Sequence, residues 1–163
     1  EGLQPGLYAL VRNPDTFDSF KTALSREQFQ WQDVDGCPPH LPLYTLVNAN
    51  GRNLAATLAC HQGIAGQSCF SLAMIADCDS MKKDGWQYRT LYWEAGMIGQ
   101  VLYLEAEATG IQGTGIGCYF DDAVHEVLGI QDERWQDLYH FTVGKGVHDG
   151  RIQTIAPYAH LAR

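Results

Sequence analysis

Residues 86–109 read WQYRTLYWEAGMIGQVLYLEAEAT, and this stretch decides the fold. Leu91, Ala95, Ile98, Leu102 and Ala106 recur at helical spacing along one face, and Met97, Val101, Leu104 and Ala108 fill a second. The pattern predicts one long helix from Trp86 to Thr109, stopped by Gly110. A helix apolar over so much of its circumference is expected to be largely buried. Gly96 and Gly99 each cost about 1 kcal/mol relative to alanine in a helix interior. Close approach by another helix offsets such a cost, and a subunit partner is the candidate.

Downstream, Gly110 to Gly117 (GIQGTGIG) places four glycines in eight residues. Glycine lets a backbone lie close against a flat ligand, and it also makes plain tight turns. The segment lacks Gly-Lys-Ser/Thr and follows a helix, so it is not a phosphate loop. The dinucleotide fingerprint is absent as well. Asp121 or Asp122 is expected to cap a short helix running through Leu128, with Gly129 ending it. Leu138 to Val143 alternates, with Tyr139, Phe141 and Val143 on one face, and reads as a strand. The tail from Gly144 to Arg163 is polar and turn-rich, with Ile152, Ile155 and Tyr158 available to dock.

Upstream, Pro5 to Arg12 (PGLYALVR) opens on a turn and reads as a strand. A short helix is expected around Thr16 to Leu24 and a second strand over Leu43 to Val47. Asn53 is a candidate cap for a helix carrying Leu54 and Leu58 on one face, with Gly63 just past its end. Cys69 to Ala76 (CFSLAMIA) is apolar on both alternating faces, which predicts a strand in mid-sheet, covered on both sides. About four strands separated by helices of unequal length give an α+β fold. No repeat or low-complexity tract divides residues 1–163.

The chain has 163 residues, 45% apolar and 18% charged, a composition that can bury a substantial core. No run approaches the roughly 18 consecutive apolar residues of a membrane span. The formal net charge of −8 disfavours nucleic acid and anionic membranes as partners. A small phosphate held in a local basic pocket is still compatible with it. The five cysteines are an odd set without a Cys-x-x-Cys pair, which fits free thiols in a reducing cytoplasm. Cys69 and Cys118 sit in apolar sequence, and Cys118 is expected to be a buried structural thiol. Cys37-Pro38-Pro39-His40 and Cys60-His61 match no standard zinc spacing, so no metal site is expected.

Tyr88-Arg89-Thr90-Leu91-Tyr92-Trp93-Glu94-Ala95-Gly96-Met97-Ile98-Gly99-Gln100 resembles the long central helix of the nitroreductase superfamily. Tyr103 to Ile111 resembles that helix's ending. Gly115-Ile116-Gly117-Cys118-Tyr119-Phe120-Asp121-Asp122 resembles the family segment that passes over the flavin. Gly2-Leu3-Gln4-Pro5-Gly6-Leu7-Tyr8 is similar to the middle of SagB-type members, which include azoline dehydrogenases. Azoline-oxidising members carry a Lys-Tyr pair before the long helix. Here Met81-Lys82-Lys83-Asp84-Gly85 aligns Lys82 with the lysine and puts Lys83 in the tyrosine's place, which argues against azoline oxidation.

The resemblance implies a sheet of mixed or antiparallel strands flanked by helices around a long central one. It also implies that this chain is the C-terminal half of such a domain. The family's N-terminal arginine- and serine-rich phosphate grip has no counterpart in the sequence, and residues 1–163 alone are not expected to form a flavin-loaded enzyme. By resemblance the cofactor is FMN, with NAD(P)H a candidate electron donor. The cofactor-binding positions are then Gly115, Ile116, Gly117 and Cys118 at the ring and Lys145 and Arg151 near the phosphate. The implied assembly is a cytoplasmic homodimer passing hydride between flavin and a small-molecule or peptide substrate. The competing expectation is a related module that has lost flavin and serves as a scaffold.

Overall fold

The computed structural model describes residues 2–82 and 84–161. Two three-stranded antiparallel sheets carry the architecture, joined through helices into an α+β fold. The first sheet contains β1 (Gly6–Leu10), β2 (Gln32–Asp33) and β3 (Leu43–Asn48), in the order β1-β3-β2. The second contains β4 (Phe70–Asp77), β5 (Gln112–Ile116) and β6 (Trp135–Gly144), in the order β4-β6-β5. The helices are α1 (Phe17–Ala23), α2 (Arg52–Leu58), α3 (Gly63–Gln67), α4 (Tyr88–Ala108) and α5 (Asp121–Leu128).

β6 is the centre of the second sheet. Tyr139, Phe141 and Val143 face α4, where Phe141, Val143 and Ala106 form a core with Leu72, Met74 and Leu102 around them. The opposite face carries Trp135, which joins Val124 and Leu128 of α5, Ile130, Leu24, and Ala9 and Leu46 of the first sheet in one core. A bulge interrupts the pairing with β4: Met74 pairs Tyr139 but Ile75 pairs Asp137, leaving Leu138 as the extra residue. In an unbroken strand, residues three apart point to opposite faces. The extra residue reverses that parity and turns Asp137 and His140 to the same side.

Several expectations need correction. Gly110–Gly117 is not a plain tight turn; Gln112–Ile116 within it form the edge strand β5. A β-carbon on Gly113 would lie 2.7 Å from the Phe141 ring, and one on Gly115 would strike the Tyr139 hydroxyl. Those two glycines make room for aromatic rings of the neighbouring strand. The apolar run around Cys69 forms β4 as expected, but β4 is an edge, and β6 is the covered strand. Gly63 does not end α2; it opens α3. Gly51 precedes α2, and the Asn50 carboxamide oxygen accepts from the Arg52 N–H at 3.2 Å. Gly129 does end α5, in the left-handed conformation (φ 78°) that costs glycine little.

The long helix forms as predicted but is not largely buried within this chain. Only Ala95, Gly99 and Ala106 are buried on it, where the second sheet covers one side. Gly99 admits the sheet and not another helix: a β-carbon there would meet Tyr139 at 3.0 Å. Ile152, Ile155 and Tyr158 of the tail are exposed and undocked.

Candidate functional site

After the buried Ile116, β5 passes into a short segment, Gly117 to Phe120, that leads to the first turn of α5. A turn from Ala59 to Gln62, between α2 and α3, lies against it. The Phe120 N–H donates to the Leu58 carbonyl at 2.8 Å, and Gln62 Nε2 donates to the Cys118 carbonyl at 3.1 Å. The His61 and Phe120 rings meet edge-on with centroids 5.8 Å apart. Cys60 and Cys118 are joined in a disulfide, with Cα atoms 5.8 Å apart. Cys118 is therefore neither free nor a buried thiol: it is exposed and paired. Sequence alone missed the pair because 58 positions separate its members, and only the fold brings them together. Cys69 is likewise exposed, although its sequence neighbours are apolar. Cys37, Cys69 and Cys78 are the free cysteines.

Behind the segment lies a buried polar group. His140 Nε2 and Asp137 Oδ2 are 2.6 Å apart, and both side chains are almost wholly enclosed. Tyr119 lies flat on His140, and its hydroxyl donates to the Asp137 carbonyl at 3.4 Å. Burial pushes the Asp137 carboxyl up from its ordinary value, against the opposing pull of His140 and of His125 on α5. Burial also pushes the Tyr119 phenol up to about 12, with the Asp137 charge adding to the effect. Asp137 Oδ1 and His125 Nε2 are buried with no hydrogen-bond partner among the described residues. No local motif announces this cluster, because the bulge at Leu138 creates it.

The expected ring-side residues divide into two kinds. Gly115 is turned to structure: its N–H donates to Tyr103 Oη at 2.7 Å and its missing side chain accommodates Tyr139. Ile116 is buried in a small core with Ala59 and Ala65. Gly117 and Cys118 are exposed, and a β-carbon on Gly117 would meet nothing within 4 Å. That open edge fits a flat group such as the flavin ring that the resemblance implies.

The expected phosphate residues are placed differently. Gly144 pairs with Gln112, whereas His140 pairs with Ile116, so Lys145 follows β6 at the end of β5 away from Gly117. Lys145 is exposed, and Arg151 is held by Asp149 through a bidentate pair at 2.6 and 2.9 Å. Among the described residues, no cluster of three or more histidines, cysteines or acids is placed to hold a metal ion. Lys83, part of the expected departure from azoline-oxidising members, lies outside the described residues. No helix among them is long and apolar enough to cross a membrane.

A model of the nitroreductase family matches residues 17–145. The chain belongs to the nitroreductase family. Comparison with curated proteins gave no match. Among solved structures, the chain is similar to a nitroreductase-like protein from Anabaena variabilis, with 29% identity and a TM-score of 0.58 over 64% of this chain and 23% of that one. It is similar in fold to nitroreductase A from Vibrio parahaemolyticus, with 13% identity and a TM-score of 0.54 over 100% of this chain and 71% of that one. An oxidoreductase-like protein from Bacteroides fragilis gives 13% identity and a TM-score of 0.52, covering 98% of this chain and 69% of that one. The chain thus spans under a quarter of the Anabaena protein's length.

Proposed function

We propose that the protein is an FMN-dependent oxidoreductase of the nitroreductase type, belonging to the SagB-like branch and acting as a cytoplasmic homodimer. The observation that carries this reading is Gly117: within the family's matched region, it leaves an exposed backbone edge with open space beside it. When bound, FMN supplies reversible hydride transfer. The protein's own part is positioning. Gly117 and Cys118 offer backbone N–H groups to one edge of the ring, and Gly117 keeps side-chain atoms out of its path. The Asp137–His140 pair and Tyr119 stiffen the segment from behind. Lys145 and Arg151 are the proposed phosphate contacts, and Arg151 would exchange the Asp149 carboxylate for phosphate, since both accept the same planar fork.

The dimer is supported by α4. Trp93, Met97, Val101 and Leu104 are exposed, and a groove of about 700 Å³ runs beside them between Arg12, Thr90 and Leu102. A monomer rarely leaves so continuous an apolar face open to water. Gly96 has no atom near its β-carbon position, so a partner helix can approach there. NAD(P)H is the proposed electron donor, with a small molecule or peptide as substrate. The deciding experiment is the visible spectrum of the intact purified protein, followed by anaerobic reduction with NAD(P)H. Bound flavin bleached by the nicotinamide supports the enzyme. A colourless protein that takes up no added FMN leaves a non-catalytic scaffold, for which the separation of Lys145 from Gly117 speaks.

A further inference from the structure

We propose that the Cys60–Cys118 disulfide is a redox modification site, a latch opened by a dithiol that controls the order of the Gly117–Phe120 segment. The pair ties that segment to the turn between α2 and α3 across 58 positions of sequence. Cys118 is exposed and Cys60 half-buried, so an attacking thiolate can reach the bond. Cys60 and His61 both hold left-handed backbone (φ 52° and 59°), which is unfavourable for residues bearing a β-carbon. The turn is therefore strained in the paired structure. Once the bond opens, the remaining ties are the Phe120 N–H to the Leu58 carbonyl, Gln62 to the Cys118 carbonyl, and the His61–Phe120 ring contact. Relaxation of Cys60 and His61 works against all three. Accessible and strained disulfides are the labile ones, and in a reducing compartment such pairs serve as switches more than as permanent staples.

The exchange is balanced without any further reactant. One thiolate of the dithiol attacks the exposed Cys118 sulfur, the Cys60–Cys118 bond breaks, and Cys60 leaves as a thiolate that takes up a proton. The second thiol then attacks the mixed disulfide at the reagent's own sulfur and releases Cys118. Two electrons and two protons pass to the protein, and the dithiol becomes a cyclic disulfide. A low-molecular-weight disulfide reverses the sequence.

The consequence for flavin rests on the function proposed above, because Cys118 follows Gly117 directly; the exchange itself does not. The test uses the intact protein before and after treatment with dithiothreitol. Alkylation and peptide mass analysis should find Cys60 and Cys118 unlabelled before reduction and both labelled after it. Hydrogen exchange at residues 59–62 and 117–120 should become roughly tenfold faster in the reduced form, with β6 unchanged. Cys60→Ser with Cys118→Ser should exchange like the reduced protein, and re-oxidation with a small disulfide should restore slow exchange only in the parent. Full labelling of Cys60 and Cys118 before reduction, even after treatment with the small disulfide, overturns the proposal. So do identical exchange rates in the two forms. FMN titration of both forms separates the two ideas. Affinity that falls on reduction supports latch and flavin site together. Faster exchange with no FMN bound in either form upholds the latch and counts against the flavin.

Discussion

Tyr119 stacks on His140, with ring centroids 4.4 Å apart and planes 6° from parallel. The contact joins the segment after β5 to the central strand β6, and it places a phenol over a buried histidine–carboxylate pair. This arrangement has a consequence in alkali. The folded-state phenol is raised from 10.0 to about 12, so the folded protein keeps a proton that the unfolded chain gives up. A raised value contributes stability that is fully present below pH 10 and is lost as pH rises through 12. Denaturant unfolding of the parent and Tyr119→Phe across that window should show the parent losing its advantage as pH rises. A difference independent of pH would show that Tyr119 titrates normally.

His140→Leu removes the partner of the Asp137 carboxyl, whose side chain is fully enclosed. Breaking a buried pair from one side costs about 3–5 kcal/mol, because the enclosed carboxyl left behind has lost its hydrogen-bond partner. Urea unfolding near neutral pH should show a loss of that size, with a smaller loss for the double variant His140→Leu, Asp137→Leu. If the single variant costs about 1 kcal/mol or less, the pair behaves like an exposed one and its enclosure is wrong.

The three glycines of the β5 region should respond differently to alanine. Gly113→Ala puts a methyl 2.7 Å from the Phe141 ring, and overpacking of this kind costs about 1–3 kcal/mol. Gly115→Ala meets the Tyr139 hydroxyl, and Tyr139→Phe should recover part of the loss. Gly117→Ala should leave the melting temperature nearly unchanged and weaken FMN instead. Gly117→Val extends the test: full flavin occupancy in that variant would reduce Gly117 to a turn residue.

Met97 is 63% exposed in the middle of the apolar face of α4. If that face is the dimer contact, Met97→Asp should shift the intact protein from dimer to monomer in sedimentation. The helix itself should persist, because an exposed aspartate costs a helix interior well under about 1 kcal/mol. A parent protein already monomeric at micromolar concentration removes the dimer from the proposal.

Much of the fold was legible locally. The 3.6-residue spacing from Leu91 to Ala106 shows a helix, and the alternation of Tyr139, Phe141 and Val143 shows a strand facing one core. Gly129 ends α5 because only a residue without a β-carbon takes its backbone angle cheaply. The order of these elements is what the family resemblance rested on. β5 was not legible, because glycine lowers strand propensity and the rings that require Gly113 and Gly115 lie more than twenty positions away. β4 was misplaced for a related reason: hydropathy reports that a strand is covered, not which neighbour it pairs with.

The sequence by itself determined the helix, the principal strands and the membership that follows from their order, since each depends on residues within a few turns of one another. The tertiary structure alone decided which cysteines pair, which histidine meets Asp137, and which glycine stays open to a ligand. Cys60 meets Cys118 through the packing of α2 and α3 beside the second sheet, and no spacing rule encodes that approach. Asp137 meets His140 only because one extra residue in β6 reverses the strand's two-residue alternation. Gly117 differs from Gly113 and Gly115 only in what stands opposite it. Local periodicity fixes the direction of a side chain within its own element, and what that side chain meets depends on elements far away in the chain.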